Sequence, residues 1–109
     1  MDPPVKLGSL LAHPDSYHSK LVRIRGVVTS HQIKHIKQWM QNEDRCFQAF
    51  TVKDETGSIP ASYGTSCSGA IDLLRIRDTV TLEGYFEESH TGGGVLNVET
   101  VISKTTASP

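Results

Sequence analysis

The stretch CFQAFTVKDETGSIPASYG, residues 46 to 64, admits few folds. Two runs rich in β-branched and aromatic residues flank Asp54-Glu55-Thr56-Gly57, and such runs suit a pleated, half-buried surface. Asp54 can accept hydrogen bonds from the backbone that follows it, and Gly57 can take a positive φ, so the four residues read as a hairpin turn. Pro60 lacks a ladder donor, which puts the outgoing strand at an edge or makes it irregular there.

The rest of the chain supplies the partners such a hairpin needs. In KLVRIRGVVTS, Val22 and Ile24 alternate with Arg23 and Arg25, the two-residue period of a half-buried strand. Gly26 interrupts that run and suggests a bulge or sharp bend. TVTLEGYFEES, with Val80 and Leu82 inward, and VLNVETVIS read as two further strands around the turn HTGGG. Ala70 to Leu74 suits a helical turn. Near the N-terminus, Ser9 is placed to cap a short helix from Leu10, ended by His13-Pro14, with a turn at Pro14-Asp15 and core contacts from Leu10, Leu11 and Tyr17. Residues 31 to 45, HQIKHIKQWMQNEDR, show no clean two-residue period. They read as a long excursion between the first two strands, with a hairpin arm extending both strands as the alternative.

The order is thus a short helix, strand, excursion, strand, tight turn, strand, short helix, strand, glycine turn and strand. Five strands with a helical segment between the third and fourth is the order of the oligonucleotide/oligosaccharide-binding (OB) barrel. The expectation is an all-β, five-stranded Greek-key OB barrel with short helical segments. Its domain spans residues 7–103, between a loose leader at 1–6 and a polar tail at 104–109.

Composition bounds what such a barrel can do. The 109 residues carry a net charge of -1, so any claim of nucleic-acid binding has to rest on local clustering. No apolar run nears the roughly 20 residues that span a bilayer. If Met1 is the native start, MDPPVKLGSLLAH is acidic first and lacks the basic leader, apolar core and cleavage site of an export signal, which implies the cytoplasm; an excised exported domain leaves the compartment unspecified. Cys46 and Cys67 can form one disulfide in an oxidising compartment or stay as two small apolar core residues, and the latter is the ordinary expectation.

Three segments carry a family resemblance: LLAHPDSYHSKLVRIRGVV, FTVKDETGSI and DTVTLEGYF. Over residues 7 to 103 the chain resembles small nucleic-acid-binding OB domains of the tRNA-anticodon-binding kind. The resemblance implies the fold more strongly than any one activity. ASYGTSCSGAIDLLRIRDTVTLEGYF is also similar to the OB-fold haem chaperones of cytochrome c maturation. Thr105 stands roughly where that family carries its haem-attaching histidine, so the similarity stops short of covalent haem attachment.

Charge clusters in one place. Residues 20 to 45 hold Lys20, Arg23, Arg25, Lys34, Lys37 and Arg45 against Glu43 and Asp44, a net of +4. In an OB barrel the first strand and first loop border the ligand groove, and cations there can follow a phosphate backbone; an ordinary solvated face fits the same residues. Bases stack on exposed rings, and Trp39, Phe47 and Tyr63 are the candidates. If Phe50 and Val52 point inward, Phe47 faces the groove, and Tyr63 can share that face across the hairpin. Otherwise Phe47 and Tyr63 belong to the core, whereas Trp39, set among Lys, Gln, Met and Asn, implies a ligand or protein partner if exposed.

The sequence therefore predicts a non-enzymatic binding module. It would hold single-stranded nucleic acid through Arg23, Arg25, Lys34, Lys37, Trp39, Arg45, Phe47 and Tyr63, with no cofactor. The alternative is an accessory domain for a protein or small-molecule ligand, outside the cytoplasm in one version, and homodimerisation through barrel edges is open to either. Arg23 and Arg25 on one surface with Trp39 and Tyr63 favours the first; neutralisation by Glu83, Glu87 or Glu88 favours the second. His31, His35 and Cys46 begin a zinc-like set but lack a fourth ligand. Gly92-Gly93-Gly94 precedes a strand and no Lys-Ser/Thr pair follows it, so it is a turn and not a phosphate loop. No nucleophile setting stands out.

Overall fold

The computed structural model describes residues 4–37, 44–66, 74–89 and 93–106; at 34–37, 44–45 and 65–66 the description is of the backbone. The first strand, β1 (Leu21–Lys37), runs for 17 residues. The others are β2 (Asp44–Asp54), β3 (Gly57–Ser66), β4 (Thr79–Glu88) and β5 (Gly94–Thr105). They close a barrel in the order β1-β2-β3-β5-β4. β1 pairs with β4 from Leu21↔Tyr85 to Val27↔Thr79, and with β2 from Val27↔Lys53 to Lys37↔Asp44. The seam between β3 and β5 is short and parallel, Ala61↔Leu96 and Ser62↔Asn97.

The handover of β1 from one neighbour to the other happens at Val27. A side chain at Gly26 would sit 2.6 Å from the Lys53 carbonyl oxygen and from Val52 Cγ1. The glycine expected to mark a bend is thus a close-approach position, and the register shift falls just beyond it, between Val28 and Ser30.

Alternate strand residues fill the interior. Val22, Ile24, Phe50, Val52, Ile59, Val80, Leu82, Phe86, Leu96 and Val98 are all buried in one cluster, as the two-residue period requires. Leu7 and Leu10 join it from the N-terminal helix, with Leu11 and Tyr17 packed against it. That helix, α1, spans Leu7–Ala12, and a second turn, α2, spans Pro14–Tyr17.

Three local expectations are corrected. First, α1 starts at Leu7, and its N-cap residue Lys6 gives no side-chain cap, so Ser9 is not the cap. The cap comes from the hairpin turn instead. Asp54 Oδ2 accepts from the Leu7 N–H at 2.9 Å, and Thr56 Oγ1 accepts from the Gly8 N–H at 2.8 Å. These orphan amides of the first turn need acceptors, and tertiary packing supplies them from nearly fifty residues away. Pro14 takes the first turn of α2, where its missing N–H costs nothing. Second, Gly57 is not among the positive-φ residues. It matters by closeness, since a side chain there would meet Leu11 Cδ1 at 3.1 Å. Third, residues 31–37 and 44–45 are not an excursion but the two sides of a hairpin arm. The expected helical turn at Ala70 to Leu74 lies outside the described residues except for Leu74, which is buried and not helical.

Asp54 is the hub of the α1–turn junction. Its Oδ1 also accepts from the N–H of Thr56 at 2.7 Å, from that residue's hydroxyl at 2.5 Å and from the Gly57 N–H at 3.1 Å. Burial pushes its pKa up, but these hydrogen bonds outweigh it and hold the carboxyl below its ordinary value. Beside it, Lys6 and Glu55 form an exposed ion pair. Replacing Asp54 by alanine should cost roughly 1.5–3 kcal/mol, the range for hydrogen bonds to a charged group, read from the urea midpoint. Because the folded value lies below the unfolded one, the stabilisation is complete above about pH 3.9 and fades as pH falls through the folded value. Asp54→Asn should flatten the pH dependence of stability in that window.

Candidate nucleic-acid interface

Register decides which side chains share a surface, since residues paired across an antiparallel ladder lie on one face. On β2, Gln48, Phe50 and Val52 are buried, so Phe47, Ala49, Thr51 and Lys53 form the outer row. Their β3 partners are Gly64, Ser62, Pro60 and Ser58. On β1, the partners of Phe47, Ala49 and Thr51 are Lys34, Gln32 and Ser30, with a hydrogen bond between the Ser30 and Thr51 hydroxyls at 2.9 Å.

The result is a shallow trough. The β3 side carries only small or ring-closed residues, and Phe47 is the one aromatic group among the outer residues of β2 and β3 from 47 to 64, with Lys53 the other long side chain, near the turn. Phe47 is half-buried. A side chain at Gly64 would approach its ring at 3.3 and 3.5 Å, so the ring lies over the glycine. No acid occupies an outer position on this part of either strand.

The other candidates divide. Arg45 is two residues before Phe47 on β2, and position 34 is opposite Phe47 on β1. Lys37 is the last residue of β1, paired with Asp44. Trp39 lies outside the described residues. Arg25 is exposed on β1 and sits by the β2 end of the trough with Lys53. Arg23 is committed elsewhere, because its guanidinium pairs with Glu83 on β4 at 3.2 Å. Tyr63 does not share the face of Phe47. It pairs with the buried Gln48 and packs against the core, because one residue along a strand reverses the face.

Two features behind the trough depart from the ordinary expectations from sequence. Gln48 is a buried polar residue, 1% exposed. Its Oε1 accepts from the Leu74 N–H at 3.0 Å and lies 2.9 Å from His31 Nε2. The amide N–H can only donate, so the atom facing it is oxygen, and His31 Nε2 donates in turn. Gln48 thus ties the end of the β3–β4 connection to the hairpin arm. The only advance signal is a glutamine at an inward position of an apolar strand. Second, Cys46 is disulfide-bonded, against the ordinary expectation of a thiol. The register puts it level with Thr65, two residues before the only other cysteine in the sequence, Cys67. The bond removes Cys46 as a thiolate ligand, and among the described residues no cluster of three His, Cys, Asp or Glu could hold a metal. Replacing Gln48 by leucine would strand the Leu74 N–H, and should lower stability by about 1–3 kcal/mol, seen as a lower urea midpoint at unchanged slope.

No protein-family model and no curated protein matches the sequence. Among solved structures, the chain is similar to the second OB-fold domain of replication protein A from Methanococcus maripaludis, seen in solution by NMR. The TM-score is 0.61 over 83% of this chain and 91% of that one, at 17% identity. Strand order, barrel closure and this similarity together make the chain an OB-fold domain.

Proposed function

We propose that this domain binds single-stranded nucleic acid along the outer trough of β1, β2 and β3. The observation that carries the reading is Phe47, a half-exposed ring laid over Gly64 in a face free of acids. Every base has a π-face, so one ring held flat on a sheet serves any sequence. Lys34 and Arg45, at positions of β1 and β2 near Phe47, and Lys37 at the end of β1 supply phosphate contacts, and Trp39, which lies outside the described residues, supplies a second stacking ring. Arg25 continues it at the other end. Arg23, paired with Glu83, and Tyr63, turned to the core, are withdrawn from the set. The similarity to a replication protein A domain supports the fold on which this reading rests, and binding through the fold needs no catalytic group.

A second reading has one specific observation in its favour. A disulfide at Cys46 suits an oxidising compartment, where a protein or small-molecule ligand is the more natural partner, and the Arg23–Glu83 pair removes one cation from the surface. Titration with oligonucleotides separates the two. The single Trp39 should report binding by fluorescence, weaker at about 200 mM salt than at about 50 mM as counterion release requires. Phe47→Ala should weaken binding by about 1–3 kcal/mol, the worth of one stacked base. No change in fluorescence and no mobility shift at low salt would move the search to protein partners.

A further inference from the structure

A groove of about 670 Å³ opens at the far end of the trough from the hairpin arm. The N-terminal segment forms one wall. It is anchored there by the Val5 N–H, which donates to the Arg23 carbonyl at 2.8 Å. Pro4, Val5, Gly26 and Val27 give the groove an apolar lining, and Arg25 and Lys53 stand among its walls.

Charge in the groove is unevenly committed. Asp54 is occupied by the amides and hydroxyl of the α1–turn junction, and Glu55 by Lys6. Arg25 and Lys53 make no ion pair among the described residues, whereas Arg23, two residues away, does. The groove therefore presents two cations outside any ion pair beside an apolar lining, with the Asp54 carboxylate turned to its own amides and hydroxyl, and a lining charge of +1. That combination fits an apolar, flat body joined to an anionic group.

Position selects one such body. Lys53 is in the same outer row of β2 as Phe47, six residues on, or about 20 Å at the rise of a strand. A single strand stacked on Phe47 and running along β2 toward the turn arrives at this groove.

We infer that the groove is a second nucleotide subsite: it takes a base of the same bound strand against Val5 and Val27, with the adjoining phosphates between Arg25 and Lys53. The inference rests on the proposed trough but adds a site at the opposite pole of the face. It also gives the N-terminal segment a role in binding, since without that segment the groove loses a wall.

Amide chemical shifts of the 15N-labelled protein, followed during titration with oligothymidylate of about 10 nucleotides, within the site size of an OB fold, test this. In the wild type, the amides of Gly26, Val27 and Lys53 should move together with those of Phe47 and Ala49. In Arg25→Ala/Lys53→Ala, the Phe47 and Ala49 amides should still move and the groove amides should not. The slope of log K against log salt should become shallower by about 1.4, because each phosphate left unneutralised on a single strand removes about 0.7. Movement at Phe47 without movement in the groove, or an unchanged salt slope in the double variant, overturns the subsite and leaves the trough standing. Movement in the groove without Phe47 overturns the continuous path. No movement anywhere overturns the trough itself, and the subsite with it.

Discussion

One strand is shared between two neighbours, and the barrel exists because of how that sharing is arranged. β1 is held by β4 along its first half and by β2 along its second. A flat strand cannot serve both without exposing a ladder edge, so it must bend as it changes partners. Gly26 lets the backbone of β2 come within the space a side chain would fill, and the register shift after Val28 completes the turn. Gly84 does the same on β4, where a side chain would fall 2.2 Å from the Asn97 carbonyl oxygen. Closure then leaves little for the β3–β5 seam, which is two residue pairs long.

The bend also shapes the surface. Past the handover, β1 leaves the β4 ladder and continues with β2 as an arm, so the trough is bounded by β1 and β3 and is open along β2. The arm is tied to the end of the β3–β4 connection at an inward position of β2, where Gln48 contacts His31 and the Leu74 amide, and the neighbouring inward residue Cys46 is in a disulfide. A buried amide side chain is tolerated only when its hydrogen bonds are met, and here meeting them connects three separate stretches of chain. At the other pole, Asp54 plays a comparable part by capping α1 from the turn. Both poles of the outer face are thus held by polar residues of β2, and the apolar cluster fills the space between.

Much of this is legible in the sequence, and the exceptions share a cause. Val22, Ile24, Phe50, Val80 and Leu82 are readable as inward because a half-buried strand alternates with period two. The same parity correctly turns Phe47 outward. It also places Tyr63, which follows Ile59 and Ala61 at two-residue steps along β3 and so shares their inward side; sharing the face of Phe47 would need β3 shifted by one residue against β2. The arm reads as an excursion because HQIKHIK has no period. Its residues Gln32 and Ile33 are both exposed, and where two successive residues of a strand both face solvent, nothing enforces alternation.

What the sequence by itself determined was the number and order of strands, the inward set and the hairpin at Asp54, because these follow from side-chain period and turn chemistry within a few residues. What only the tertiary structure decided was everything set between distant residues. Asp54, not Ser9, caps the first helix; Glu83 takes Arg23 out of the charged surface; Cys46 is in a disulfide; and Arg25 meets Lys53 at a groove walled by the N-terminal segment. Hydrogen bonds, ion pairs and grooves depend on separations of a few ångströms between residues that can be dozens apart in the chain, and no local pattern encodes those separations.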